Sequence, residues 1–150
     1  MPEVKARVKW IQGMQMLGES GSGHTVVMDA GASAGGREMG VRPMELLLIG
    51  MGGCSSIDLL TILRKGRYHV DDCEVSLIGV RAETDPKVYQ EIHAHYIVTG
   101  RGIPKKAVAR AIQLSEEKYC SASIMLSKTA KIHTSFELIE LPLSTPTEES

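Results

Sequence analysis

A largely apolar segment with three interior glycines, residues 44–53, most restricts how this chain of 150 residues folds. It follows Pro43, which suits the first turn of a helix, and the pattern predicts one long helix from residue 44 to about residue 64. The segment is apolar on almost every side, so we expect burial all round. Each interior glycine costs about 0.5–1 kcal/mol relative to alanine. We therefore expect a second helix, from this chain or a partner subunit, to pack closely against this backbone.

Apolar and polar residues alternate on both sides of this helix, a pattern that predicts strands. Three strands, the first half-buried, and a glycine-rich loop should precede the helix, and a hairpin, two helices and a last strand should follow it. The expected early strands are 5–12, 14–18 and 24–29, the loop is 30–42, the antiparallel hairpin is 70–83 with 88–99, the helices run from about 104 to 120 and from 122 to 128, and the last strand is 131–139.

The overall composition is that of an ordinary globular domain, with 43% hydrophobic and 23% charged residues. We expect residues 1–140 to form a single domain and residues 141–150 to be a disordered tail. The net charge is −1 and the basic residues are scattered, which indicates no nucleic-acid partner. Polar residues from Cys54 onward make the apolar run too short to span a bilayer, and the N-terminus lacks the apolar stretch of a secretory signal. We therefore expect a cytoplasmic protein with no membrane partner.

Two patterns that could bind a phosphate or a metal ion are set aside. Residues 18–25 nearly match a phosphate-binding loop, but the following residues read as a strand instead of the required helix. His93 and His95 lie on one face of a strand together with Glu91, and two side chains spaced by two residues can chelate a metal ion together. A solvated polar face explains them better, because no third ligand lies at a telling distance in the sequence. We therefore expect no cofactor and no metal.

The three cysteines occupy different kinds of position. Cys73 is in register with apolar residues of a strand and is expected to be a small core residue. Cys54 lies where the apolar run breaks, so it should sit between the buried and the accessible parts of the helix. Cys120 lies just before a helix, whose free N–H groups can favour a thiolate. Taken alone, each of the last two is still more often a packing residue.

Short motifs surround Cys54 and Cys120 in a defined order along the chain. Pro43-Met44-Glu45-Leu46 precedes Gly52-Gly53-Cys54, and Cys120-Ser121-Ala122-Ser123 begins 66 residues after Cys54. This arrangement, over nearly the whole chain, resembles the OsmC/Ohr family of osmotically induced and organic-hydroperoxide-resistance proteins. The resemblance implies an α+β OsmC-like fold with antiparallel sheets wrapped around long central helices. It also implies an intertwined homodimer, which would explain the glycines.

The resemblance further implies a thiol-dependent peroxidase that reduces organic hydroperoxides. Cys54 would be the peroxidatic residue and Cys120 the resolving residue, with a sulfenic acid followed by an intramolecular disulfide. A dithiol reductant, either a lipoyl-type protein or a small thiol, would reopen the disulfide. A neighbouring guanidinium commonly activates such a thiol, and Arg37 and Arg42 in the glycine-rich loop are the candidates.

The chain departs from the family pattern at the start of the helix. Hydroperoxide-resistance members carry a glutamate directly after the helix proline, whereas this chain has Met44 there and Glu45 one position later. One residue turns a side chain by about 100° around a helix, so Glu45 need not replace that glutamate. Asp58, one turn after Cys54, could disfavour its thiolate. Two alternatives therefore stay open: a non-catalytic stress-related dimer that binds an apolar small molecule, and a redox-sensing or disulfide-exchange protein.

Overall fold

The computed structural model of the protein describes residues 2–143. The chain divides into two compact units, Met1–Leu47 and Leu48–Ser150. From residue 144 onward, the tail expected to be disordered lies outside the described residues.

Within residues 2–143, six strands and three α-helices follow one another in nearly the expected order, which confirms the α+β class. The first unit holds three strands and a short 3-10 turn, the long helix continues from it into the second unit, and the remaining strands and helices belong to the second unit. The elements are β1 Ala6–Gln12, β2 Gln15–Ser20, β3 Thr25–Met28, α1 Pro43–Lys65, β4 His69–Arg81, β5 Tyr89–Arg101, α2 Lys105–Leu114, α3 Ser121–Leu126 and β6 Lys131–Glu140.

The first unit is an antiparallel meander in which β2 pairs with both β1 and β3. All seven residues of β1 are exposed, including Trp10, of which 60% is accessible. The sequence predicted a half-buried strand here, and that expectation is wrong for the single chain. The alternating apolar residues of β1 therefore have no cover within the described residues of the first unit.

A buried carboxylate organises the glycine-rich loop of the first unit. Asp29 accepts backbone N–H groups from Ala30 at 2.7 Å, from Met39 at 3.1 Å and from Arg37 at 3.2 Å. Burial raises the pKa of Asp29, but these three donors and the charge of Arg37 together lower the pKa below its usual value. A Cβ atom at Gly36 would collide with the carbonyl of Ala30. The loop is thus fixed by a carboxylate and by close backbone approach rather than by large side chains.

The second unit contains a mixed sheet in the order β4-β5-β6. β4 and β5 form the expected antiparallel hairpin, while β6 pairs with β5 in parallel, although the family resemblance implied antiparallel sheets. The predicted alternation along β5 is confirmed: the side chains of one face are buried, and those of the other face point away from the core. The buried residues are Ile92, Ala94, Tyr96 and Val98.

The long helix α1 packs against strand β4 at one of its three glycines. A Cβ atom at Gly52 would lie 2.8 Å from Cδ1 of Leu77, whereas one at Gly50 or Gly53 would meet nothing within 4 Å. The close neighbour at Gly52 is therefore a strand side chain, and not the second helix that the sequence suggested. The buried apolar side chains of this helix are Met51, Leu59 and Leu63.

By length and composition, α1 could also cross a bilayer. It has 23 residues and a mean hydropathy of 1.9 over an 18-residue window, of which 28% is buried. The expectation that this segment is too short was wrong, because the helix continues through Cys54 and Asp58. Core helices of globular proteins share this length and hydropathy, and the packing of Gly52 on Leu77 is of that kind.

The second cysteine follows an irregular turn between α2 and α3. The sequence predicted one helix up to Cys120, but α2 ends at Leu114 and a single π-helical turn, Ser115–Tyr119, follows it. The Cys120 N–H donates to the Ser115 carbonyl at 2.7 Å, across the wider loop of a π turn. This turn leaves Tyr119 exposed and buries Cys120.

Candidate active site

The two cysteines singled out in the sequence lie together in the second unit. The Sγ atoms of Cys54 and Cys120 and a carboxylate oxygen of Asp58 all lie within 4.8 Å of one another. Cys54 is partly exposed in the middle of α1, and Cys120 is fully buried at the start of α3. Rotation of two side chains is a small movement, so the pair is within reach of a disulfide.

Hydrogen bonds from the next helical turn hold the sulfur of Cys120. The backbone N–H of Ser123 donates to this sulfur at 3.3 Å and its hydroxyl donates at 3.0 Å. The Cys120 thiol in turn points to the Met51 carbonyl of α1 at 4.0 Å. Burial raises the pKa of Cys120, the two Ser123 donors lower it, and the neighbouring Cys54 raises it again. The net effect is a pKa above the usual value, so Cys120 is held as a neutral thiol.

Asp58 points toward the cysteine pair, a possibility that its spacing of one turn from Cys54 left open. Its carboxylate accepts the Ser115 hydroxyl at 3.2 Å, which links α1 to the π-helical turn before Cys120. Ser115 is buried, and the sequence analysis assigned it no role in the site. Two thiols and a carboxylate are also a possible ligand set for a metal ion such as Zn²⁺.

The two serines that follow Cys54, Ser55 and Ser56, form hydrogen bonds with residues of the sheet. Burial raises the pKa of Tyr96, and a hydrogen bond with Ser55 lowers it in part. Burial and the charge of Asp72 likewise raise the pKa of Cys73, against a hydrogen bond with Ser56. A half-buried Cys73 whose thiol form is favoured agrees with the packing role expected for it.

The other predicted site residues belong to the first unit. Glu45 accepts the backbone N–H of Arg42 at 2.8 Å, and the Arg42 guanidinium donates to Glu38 at 2.6 Å. Pro43 is the first helical residue, so Glu45 is the third. From the third position a glutamate side chain commonly accepts the backbone N–H of the residue just before the helix, here Arg42. The shift of the carboxylate by one residue therefore gives Glu45 a capping role. Arg37 offers its backbone N–H to Asp29, as described above.

A groove in the second unit adjoins Asp58 and the residue before Cys120. It has a volume of about 290 Å³. Its walls combine apolar and aromatic side chains with a few polar groups, and are formed by Asp58, Thr61, Ile62, Lys65, Leu114 and Tyr119. An apolar group bound there would lie beside the carboxylate that neighbours both sulfurs.

Comparisons with known proteins agree with the family resemblance. The OsmC-like protein family matches residues 35–135. Protein YhfA of Escherichia coli K12 is 47% identical over 136 residues, covering 91% of this chain and 98% of YhfA. The crystal structure of a hypothetical protein from Aquifex aeolicus VF5 has a TM-score of 0.84 and 31% identity, covering 95% of this chain and 100% of that one.

A more distant structure shares the fold alone. It is an organic hydroperoxide resistance protein OsmC from Legionella pneumophila, with a TM-score of 0.72 and 14% identity, covering 91% of this chain and 98% of that one. The family match covers well over half of the chain, and the identity to YhfA extends over nearly its whole length. This chain therefore belongs to the OsmC-like protein family.

Proposed function

We propose that this protein is a thiol-dependent peroxidase that reduces organic hydroperoxides through Cys54 and Cys120. The observation that carries the proposal is the approach of the two sulfurs to within 4.8 Å, with one cysteine partly exposed and the other buried. Packing cysteines need no such pairing. Organic hydroperoxide resistance proteins share the fold and give the proposal its substrate class.

The proposed reaction uses the more accessible cysteine first. The Cys54 thiolate attacks the terminal peroxide oxygen, the O–O bond breaks, and the alkoxide takes up a proton and leaves as an alcohol. Cys54 is then a sulfenic acid. The Cys120 sulfur attacks it, a disulfide forms and water leaves. A dithiol reductant, of the lipoyl type or a small thiol, reopens the disulfide and is itself oxidised.

The environment of Cys120 suits the resolving role. A raised pKa keeps this buried sulfur in the thiol form, so it does not compete with Cys54 for peroxide. The sulfenic acid at Cys54 is a nearby electrophile, and the two Ser123 donors stabilise the thiolate that Cys120 must form before it attacks. The order Cys54 first and Cys120 second follows from these differences.

The groove beside Asp58 suits the organic part of the substrate. Ile62, Leu114 and Tyr119 offer apolar surface of a size that takes an alkyl or aryl group. Hydrogen peroxide gains nothing from such surface. We therefore propose a preference for organic over inorganic peroxides.

Activation of Cys54 is proposed to come from an arginine of the glycine-rich loop. Arg37 and Arg42 are the two candidates, and Arg42 would first have to leave its ion pair with Glu38. Glu45 is occupied with the Arg42 N–H at the start of α1, so we propose a structural role for it rather than one in orienting a guanidinium. Whichever of the two arginines activates Cys54, a residue other than Glu45 must then orient its guanidinium.

Proteins of the OsmC/Ohr family are generally dimeric, and we propose a homodimer in which each protomer is a single OsmC-like domain over residues 1–140. The exposed apolar strand β1 and the exposed glycines of α1 support a partner subunit. We place the protein in the cytoplasm, where thiols stay reduced and a dithiol reductant is at hand.

The test is a thiol count before and after one equivalent of cumene hydroperoxide. Wild type has three cysteines and should lose two free thiols rapidly, with an intramolecular disulfide between Cys54 and Cys120 seen by mass spectrometry. Cys54→Ser should lose none. Cys120→Ser should lose one and hold a sulfenic acid that a dimedone probe traps.

The matched control is Cys73→Ser, which should still lose two thiols and form the same disulfide. If Cys54→Ser reacts at the wild-type rate, the peroxidatic assignment is wrong. If wild type keeps its thiols with peroxide, the protein is not a peroxidase and binding of an apolar ligand becomes the better explanation. Thiol loss with added disulfides only would favour disulfide exchange.

A further inference from the structure

A second cluster of metal-ligating side chains lies on the outward face of the sheet in the second unit. Glu91 and His93 come from β5 and His133 comes from β6. One nitrogen of each imidazole and one carboxylate oxygen lie within 4.8 Å of one another. The cluster belongs neither to the cysteine pair nor to the groove beside it, and the proposed peroxidase reaction does not use it.

The pairing of two strands brings these residues together. β5 and β6 run in parallel with His93 opposite His133, and a two-residue period puts Glu91 on the same face as His93. The two imidazole rings stack with centroids 4.5 Å apart and planes 14° apart. His133 Nε2 lies 3.2 Å from Glu91 Oε1. The third ligand missing from the sequence pattern thus comes from a strand forty residues further along.

The donor set has a clear metal preference. Two imidazole nitrogens and one carboxylate oxygen suit late first-row divalent ions, above all Zn²⁺. We propose that Glu91, His93 and His133 form a binding site for a divalent transition-metal ion such as Zn²⁺. This inference departs from our sequence-based expectation that the chain binds no metal.

The side chains can close on one ion with small movements. Zn²⁺ lies about 2 Å from its nitrogen and oxygen ligands, so two ligands of one ion are at most about 4 Å apart. Ligand atoms now within 4.8 Å of one another must move by roughly 1 Å or less. The stacked rings must also turn so that their lone pairs converge, and the outer torsion of histidine is soft. The side chains of His133 and Glu91 are 36% and 46% exposed, which leaves room for this rotation and for water on the open coordination positions.

His95 lies next to the cluster but has other partners. Its ring nitrogens contact the Ser135 hydroxyl at 2.7 Å and a Glu137 carboxylate oxygen at 3.1 Å. We therefore assign it a neighbouring position and not a ligand role. A small cavity of about 300 Å³ lies over this face, and His93, His95 and His133 are among its walls.

The test reads each histidine separately, because the cysteine pair with Asp58 could also bind Zn²⁺. The chain has five histidines, and single His→Gln variants assign their imidazole signals in nitrogen-edited NMR spectra of the full-length protein. During a titration with Zn²⁺, the signals of His93 and His133 should shift together with one apparent affinity. The signals of His24 and His69 should stay in place.

Substitution then separates the site from general binding. His133→Gln should weaken Zn²⁺ binding, read at His93, by at least about tenfold, and His93→Gln should do the same when read at His133. His69→Gln is the matched control, since His69 is also an exposed strand histidine with a carboxylate partner, and it should leave the affinity unchanged. Circular dichroism checks that each variant is folded.

Any of three results would overturn the proposal. In the first, the His93 and His133 signals stay in place at millimolar Zn²⁺; in the second, the signals of all five histidines move together. In the third, His93→Gln and His133→Gln bind Zn²⁺ as tightly as wild type. The outcome is independent of peroxidase activity, because the readout is histidine chemical shift and not thiol loss.

Discussion

At the scale of single residues, Cys120 shows how two opposing effects set the chemistry of one sulfur. Burial favours the neutral thiol, because a charge is costly away from water. The two Ser123 donors favour the thiolate, since hydrogen bonds to a charged group are stronger than those to a neutral one. Burial dominates, and the pKa of Cys120 is raised. The sequence indicated only the effect that favours the thiolate, namely the free N–H groups at the start of the next helix.

The Ser123 hydroxyl should therefore control how easily Cys120 ionises. In a Cys54→Ser background, the Cβ chemical shift of Cys120, followed by NMR as the pH is raised, should report ionisation of the thiol only above its ordinary pKa. Ser123→Ala removes one donor to the thiolate and should move this titration to higher pH by roughly one unit. NMR reads this sulfur in the folded protein, where Cys120 is fully buried.

Ser121→Ala serves as the matched control, because this exposed serine adjoins Cys120 while the donors to its sulfur come from Ser123. It should leave the pH profile unchanged. A Ser123→Ala profile that coincides with that of Ser121→Ala would show that the hydroxyl does not stabilise the thiolate.

At the scale of elements, long periodic segments were predictable and short irregular ones were not. The helix α1 and the hairpin of β4 and β5 follow from apolar periodicity over many residues, and the structure places them within a few residues of their predicted bounds. The π-helical turn before Cys120 has no such signal, because one wider hydrogen bond changes the register of a few residues only. The parallel pairing of β6, which sets His133 beside His93, depends on contacts distant in sequence.

The contact between Gly52 and Leu77 should make α1 sensitive to side-chain size at this position. A Cβ atom alone lies 2.8 Å from the flexible end of Leu77, which can rotate, and the gain in helix propensity offsets part of the strain. Gly52→Ala should therefore change the free energy of unfolding by less than about 1 kcal/mol. Gly52→Val adds two methyl groups and should lower it by about 1–3 kcal/mol in urea titrations.

A double variant tests the physical cause. Leu77→Ala makes room for the larger residue, so Gly52→Val should cost less in that background, with a coupling of at least about 0.5 kcal/mol. Additive effects of the two changes would mean that the cost of valine arises elsewhere on the helix.

At the scale of the whole molecule, each unit leaves apolar surface uncovered. In the first unit, β1 is exposed along its length. In the second unit, the exposed residues of α1 form one stripe, since Ile49, Gly50, Gly53 and Ile57 fall within about 100° around the helix. Gly50 and Gly53 leave a shallow surface on which another backbone can approach. Surfaces of this kind are typical of subunit interfaces in obligate oligomers, and a second copy of the chain is the occupant that we propose.

A charge placed on this stripe should separate the subunits. Wild type should sediment at twice the chain mass of 16.3 kDa, and Ile57→Lys should shift it toward that single-chain mass, because a lysine buried in an apolar interface carries an unpaired charge. Ile78→Lys is the matched control, since Ile57 and Ile78 are 67% and 66% exposed and Ile78 lies on the outward face of β4. That variant should stay dimeric.

Two outcomes would contradict an interface along α1. In one, wild type sediments at the single-chain mass over micromolar concentrations; in the other, Ile57→Lys and Ile78→Lys dissociate equally. Retention of the dimer in Ile57→Lys would move the interface to other exposed surface, such as strand β1 of the first unit.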